Sequence, residues 1–68
     1  RSANPFNGLS PREFEIVSLL LDGKTVTDIA HTLNIQTSTV GTHKARLFEK
    51  LAVENILQLK EMATTYNL

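Results

Sequence analysis

Apolar residues return along this chain at three- and four-residue intervals, in blocks separated by turn residues. In the first block Ile16, Val17 and Leu20, with Glu13 or Phe14 ahead of them, keep the rhythm of a helix with one buried face. The second block has Val26, Ile29, Ala30 and Leu33 on one face, and the third has Val40, Leu47 and Leu51. The last carries Ile56, Leu59, Met62, Ala63 and Tyr66. The pattern predicts an all-α fold, a compact domain of four helices. Short helices with narrow apolar stripes are not stable alone, so they must share one core.

Punctuation between the blocks agrees with this. Ser10, Pro11 and Glu13 form a capping box with proline where its missing N–H is harmless, and Gly23 sits where a helix end wants left-handed backbone. Thr25 with Asp28 forms a second box, and Asn34 supplies the left-handed turn after Leu33. Ile35 is expected to plug into the core from that turn. Helix three starts at Gln36 or Thr37, where glutamine is a poor cap and threonine a fair one, and runs to about Leu51. Helix four begins at Asn55, with Gln58 completing a third box. Residues 1–8, RSANPFNG, read as a linker, with Phe6 either tucked onto the domain or a plain linker aromatic; residues 9–68 form the domain.

Helices two and three, joined by a tight turn, have the layout of a helix-turn-helix, which makes double-stranded DNA the leading candidate partner. Opposite Val40, Leu47 and Leu51 lie Thr42, Ala45, Arg46 and Glu49, with Gly41 at the margin. A helix inserted in the major groove reads bases mainly with its N-terminal half, which selects Gly41, Thr42, Ala45 and Arg46. Arg46 suits a bidentate contact to guanine; Ala45 and the Thr42 methyl suit thymine methyl groups. Gly41 is costly inside a helix, and its missing side chain would let backbone approach closely. Thr37, Ser38 and Thr39 offer hydroxyls and free N–H groups, a phosphate seat. Lys44 and Lys50 fit phosphate contacts, although Lys44 lies near the apolar stripe.

Composition narrows the alternatives. Sixty-eight residues bury only a modest core. Cysteine is absent, which excludes disulfides and thiolate zinc sites. Seven Lys and Arg balance seven Asp and Glu, so the net charge is zero, and this does not advertise nucleic acid. The distribution says more: Lys44, Arg46 and Lys50 oppose only Glu49, while Glu13, Glu15 and Asp22 oppose Arg12. A basic patch on a neutral body predicts weak binding by one copy. No run is long enough for a signal peptide or membrane span, so a cytoplasmic setting is the default. The first residue is Arg1, not Met, so the chain is expected to be a piece of something longer.

Catalytic and metal readings fail on spacing. His31 and His43 have no metal-ligand spacing, and His43 reads as a partly buried helix histidine reaching a phosphate or backbone group. Gly23-Lys24-Thr25 imitates the end of a phosphate-binding loop, but the required glycine position holds Ser18, mid-helix. Glu13 and Glu15 lie two apart and point to different helix faces; Glu13 is better explained by its cap, and by pairing with Arg12 or a nearby backbone group. No enzyme activity, cofactor, metal, small-molecule ligand or sizeable pocket is expected. Leu57 lies about 100° round from Ile56, off the apolar stripe. With Gln58 and Glu61 it is the candidate for a self-complementary dimer contact, because a symmetric dimer would double the few basic contacts.

The segment from Leu9 to Leu51 resembles the C-terminal DNA-binding domain of the LuxR/FixJ/NarL regulators. Leu9, Ser10, Arg12, Glu13 and Glu15 resemble that family's opening motif. Gly23, Asp28, Ile29, Ala30, Leu33, Ile35, Thr39, Val40, His43, Lys50 and Leu51 resemble its core pattern. The ending, from Asn55 to Leu68, looks most like response regulators of the BvgA type. The resemblance covers about residues 9 to 66. It implies a bacterial two-component transcription factor that binds DNA as a homodimer, with the last helix often forming the dimer contact. It also implies an N-terminal receiver domain, with residues 1–8 as the linker from it, and RNA polymerase as a further partner. The family usually has Lys or Arg where this chain has Gly41, and a polar or basic residue at Ala45, so those usual contacts do not carry over. Gln36 replaces the usual Ser cap. Thr27, kept among the DNA-contact candidates, stands where Lys or other polar residues are common, which removes one charge-type phosphate contact. Two other readings stay open: a protein-interaction module that kept the fold and lost base readout, and the output domain of a ligand-sensing, quorum-type regulator.

Overall fold

The computed structural model describes residues 4–68. Its helices are α1 (Pro11–Leu21), α2 (Val26–Leu33), α3 (Thr37–Leu51) and α4 (Ile56–Thr65), preceded by a 3-10 turn at Pro5–Gly8. No strand occurs among the described residues. The helix-turn-helix is α2 and α3, joined by Asn34, Ile35 and Gln36.

The linker reading is corrected at Pro5–Gly8. Asn4 accepts the Phe6 N–H at 2.9 Å and Pro5 presets the first turn. Phe6 is then driven to 3 % exposure in the core. Asn, Pro and Gly serve capped turns as readily as linkers, so their composition could not separate the two. Residues 1–3 of the proposed linker lie outside the described residues.

Three helix starts follow their sequence marks. Ser10 and Glu13 exchange both capping-box bonds, at 3.2 and 2.8 Å. Thr25 and Asp28 do the same at 3.1 Å each. Asn55 accepts the Gln58 N–H at 2.8 Å, but the third box closes one residue early, because the Gln58 amide oxygen takes the Glu54 N–H at 2.8 Å.

The ends share one device. Gly23, Asn34 and Ala52 are left-handed, with φ of 87°, 57° and 57°. The next residue in each case reaches back five positions: Lys24 to Leu19, Ile35 to Ala30 and Val53 to Phe48, at 3.0 Å each. Ile35 is partly buried and Val53 buried, which locks the chain's exit direction into the core.

Ile16, Val17, Ile29, Val40, Leu47 and Leu59 have no exposed surface and form the centre. Leu20, Ala30, Leu51 and Ala63 extend it, while Val26, Leu33, Ile56 and Met62 are only half-buried. The choice between Glu13 and Phe14 goes against hydrophobicity: Glu13 is buried and Phe14 is 41 % exposed. The reason is polar satisfaction, since Glu13 closes the cap on Ser10 and meets Lys50 at 2.8 Å. Of the two partners expected for it, Arg12 or a nearby backbone group, it takes the Ser10 N–H, while Arg12 reaches Glu15 at 3.4 Å.

Candidate nucleic-acid interface

α3 presents two distinct faces. Val40, Leu47 and Leu51 are buried against the body of the domain. Thr42, Ala45, Arg46 and Glu49, spaced i, i+3, i+4 and i+7, are all exposed and line one solvent-facing stripe. Gly41 lies at its margin, partly buried, and a Cβ built there meets nothing within 4 Å. Packing therefore does not demand glycine at this position.

The start of α3 differs from the other three helix starts. Ser10, Thr25 and Asn55 each accept a backbone N–H, whereas Gln36 makes no such bond. Thr37, Ser38 and Thr39 are exposed there, at the positive end of the helix dipole. The Ser38 hydroxyl turns only to the Gln36 amide oxygen, at 3.5 Å. Thr27 is exposed on the first turn of α2.

The basic residues behave differently from one another. Arg46 is exposed, and no ion pair involves it among the described residues. The ammonium of Lys44 lies 5.5 Å from the centroid of the Phe48 ring, a cation–π contact with the residue one turn on. Lys50, the other phosphate candidate, is half-exposed, and its Nζ sits 2.8 Å from Glu13 Oε1. The long-range partner leaves no local signal, since 37 residues separate the two. The charges left on α3 are then Lys44 and Arg46 against Glu49. His43 is partly buried on the flank of the stripe.

Two carboxylates have lowered pKa values. The Lys50 ammonium is the main cause for Glu13, with the Ser10 N–H second. The Thr25 N–H is the main cause for Asp28. Both groups stay ionised where helix starts and α3 need them.

On α4 Leu57 is 66 % exposed, with Gln58 half-buried and Glu61 exposed beside it. Gln58 already spends its amide oxygen on the Glu54 N–H. Between α1 and α2 there is an open groove of about 320 Å³, lined by Phe14, Glu15, Ser18, Leu19, Thr32 and Leu33. A pocket of this size is not expected from so short a chain; the exposed Phe14 forms part of its lining. No group of three or more His, Cys, Asp or Glu among the described residues could hold a metal ion. No helix among them is long and apolar enough to cross a membrane.

Residues 7–63 match the profile of the family described as bacterial regulatory proteins, luxR family. The chain belongs to that family. Its helix-turn-helix is the DNA-binding part of such regulators, and the family resemblance read from residues 9–66 is correct. Over 68 residues the chain is 31 % identical to "Response regulator UvrY" of Escherichia coli strain K12, covering all of this chain and 31 % of that protein. Over 57 residues, 84 % of this chain, it is 39 % identical to "DNA-binding transcriptional activator EvgA" of the same strain, covering 28 % of that protein. The chain thus spans less than a third of the length of these curated relatives. No solved structure matches it significantly.

Proposed function

We propose that this domain binds specific double-stranded DNA as the output module of a response regulator that controls transcription in the bacterial cytoplasm. The carrying observation is the α3 stripe of Thr42, Ala45, Arg46 and Glu49, beside a helix start that no side chain caps. In this reading Gly41, Thr42, Ala45 and Arg46 meet base edges in the major groove. Thr37, Ser38 and Thr39 take one phosphate at the α3 N-terminus. Thr27, His43 and Lys44 flank the backbone. The domain itself carries no catalysis. The relatives UvrY and EvgA, named as a response regulator and a DNA-binding activator, support this assignment.

Two cations against one carboxylate on α3 make single-copy binding weak. A homodimer on DNA, with Leu57 and its neighbours Gln58 and Glu61 at the contact, doubles these contacts and sets half-site spacing near one helical turn. RNA polymerase is the further partner that an activator would need.

The zero net charge favours a second reading, a protein-interaction module that has lost base readout. Selection of the protein on random duplexes, followed by a salt titration, separates the two. DNA binding predicts a recovered sequence motif and affinity that falls steeply with salt, because phosphate contacts release counterions. An interaction module recovers no motif.

A further inference from the structure

Glu13 lies far from the exposed stripe of α3 in sequence, yet it touches that helix. It is 5 % exposed, and a buried carboxylate is tolerated only when paired and hydrogen-bonded. A single oxygen, Oε1, does both jobs: it accepts the Ser10 N–H and the Lys50 ammonium, each at 2.8 Å. One atom therefore joins the start of α1 to the last turn of α3.

The position of Lys50 gives this pair its leverage. Lys50 follows Arg46 by one helical turn, so the two side chains leave α3 only about 40° apart, and it follows buried Leu47 by three residues. It stands on the boundary between the stripe that faces solvent and the stripe that faces the core. Apolar packing of Leu47 and Leu51 is non-directional and tolerates some rolling of a helix about its axis. A charge-assisted bond of 2.8 Å is directional and resists it. Rolling α3 would carry Thr42, Ala45 and Arg46 together off any base edges they meet.

We propose that Glu13 is a positioning residue for base reading, which through Lys50 sets the rotation of α3, and that Lys50 is withdrawn from the phosphate backbone to do so. This rests on the DNA-binding reading above.

The test uses the protein on two probes: the duplex recovered by selection and a scrambled duplex of equal length, each across a salt series. Circular dichroism and melting verify folding. Lys50→Met keeps the stem and removes the charge. The expected result is a loss of about ten-fold on the selected duplex, the scale of one misaligned base contact, with scrambled binding and salt slope unchanged. Lys50→Arg restores the pair and the affinity. Glu13→Gln keeps an acceptor for Ser10, and is expected to lose the same selectivity while the freed lysine tightens scrambled binding. Equal losses on both duplexes for Lys50→Met, with a slope shallower by about 0.9, would overturn the inference and make Lys50 a phosphate ligand. A lower melting temperature with selectivity intact in both charge-removing variants would also overturn it, leaving a purely structural pair. Failure of the parent protein to prefer any duplex would instead sink the DNA reading itself, and this inference with it.

Discussion

The Thr42 hydroxyl donates to the Ser38 carbonyl, one turn back along α3, at 3.1 Å. This bond bears directly on what the helix offers a partner. With its hydroxyl turned onto the backbone, Thr42 presents chiefly a methyl group beside the methyl of Ala45, and Arg46 is the one strong donor in the stripe. In the proposed DNA-binding reading, such a face suits thymine methyl contacts around a single guanine-type contact.

Gly41→Lys tests how near the DNA this face comes. A side chain there meets nothing within 4 Å, so the fold accepts it. Replacing glycine inside a helix is expected to stabilise the protein by about 0.5–1 kcal/mol. Binding to random duplexes is expected to tighten, with a salt slope steeper by about 0.9. An unchanged slope would place residue 41 away from DNA.

Ala52→Gly tests the helix end. Ala52 holds a φ of 57°, which L residues adopt at a penalty and glycine does not. Its stability is expected to rise by about 0.5–1 kcal/mol in urea unfolding, with the same m-value. A loss of stability would mean that glycine's extra unfolded-state entropy outweighs the relief at this site.

Acid sensitivity follows from Glu13 and Asp28. Both pKa values are lowered in the folded protein, from ordinary values of 4.5 and 3.8. A carboxylate with a depressed folded pKa contributes stability that is complete above its unfolded pKa and is lost as pH falls through the folded one. The melting temperature is therefore expected to be flat above about pH 5 and to fall below it. Glu13→Gln is expected to have a lower plateau and a shallower acid limb. An acid limb identical to the parent's would show that Glu13 contributes nothing there.

How much of this was written locally in the chain varies with the cause. Ser10–Glu13 and Thr25–Asp28 are caps closed within three residues, so sequence alone placed the helix starts. The inward stripe of Val40, Leu47 and Leu51 followed from periodicity. The Lys44–Phe48 contact, at i and i+4, is local and so legible from spacing alone. Burial of Phe6 was undecidable from its turn-like neighbours. The left-handed Ala52 and the buried Val53 behind it carry no residue-type signal, because alanine is not a turn former. The Glu13–Lys50 pair depends on how α1 and α3 meet, which only the assembled fold specifies. Legibility therefore stopped where contacts became long-range, and the Glu13 partner of Lys50 could not be read for that reason.

Leu57→Glu tests the homodimer. Leu57 is 66 % exposed, so the charge is expected to leave the helical signal and melting temperature intact. Cooperative binding to a duplex with two half-sites is expected to disappear, while binding to one half-site stays. One helix buries too little surface for a stable dimer, so the domain alone is expected to be monomeric by sedimentation. Surviving cooperativity would move the contact away from Leu57.

Arg46→Ala tests most directly whether the outer face of α3 reads base edges. Affinity should be measured for the selected duplex and for a random duplex, in parent and variant, at several salt concentrations. The selected duplex is expected to lose about 1–3 kcal/mol, as for a bidentate guanine contact, and the random duplex much less. Equal losses on both duplexes would make Arg46 a phosphate contact, and no loss on either would contradict the placement of this face against DNA.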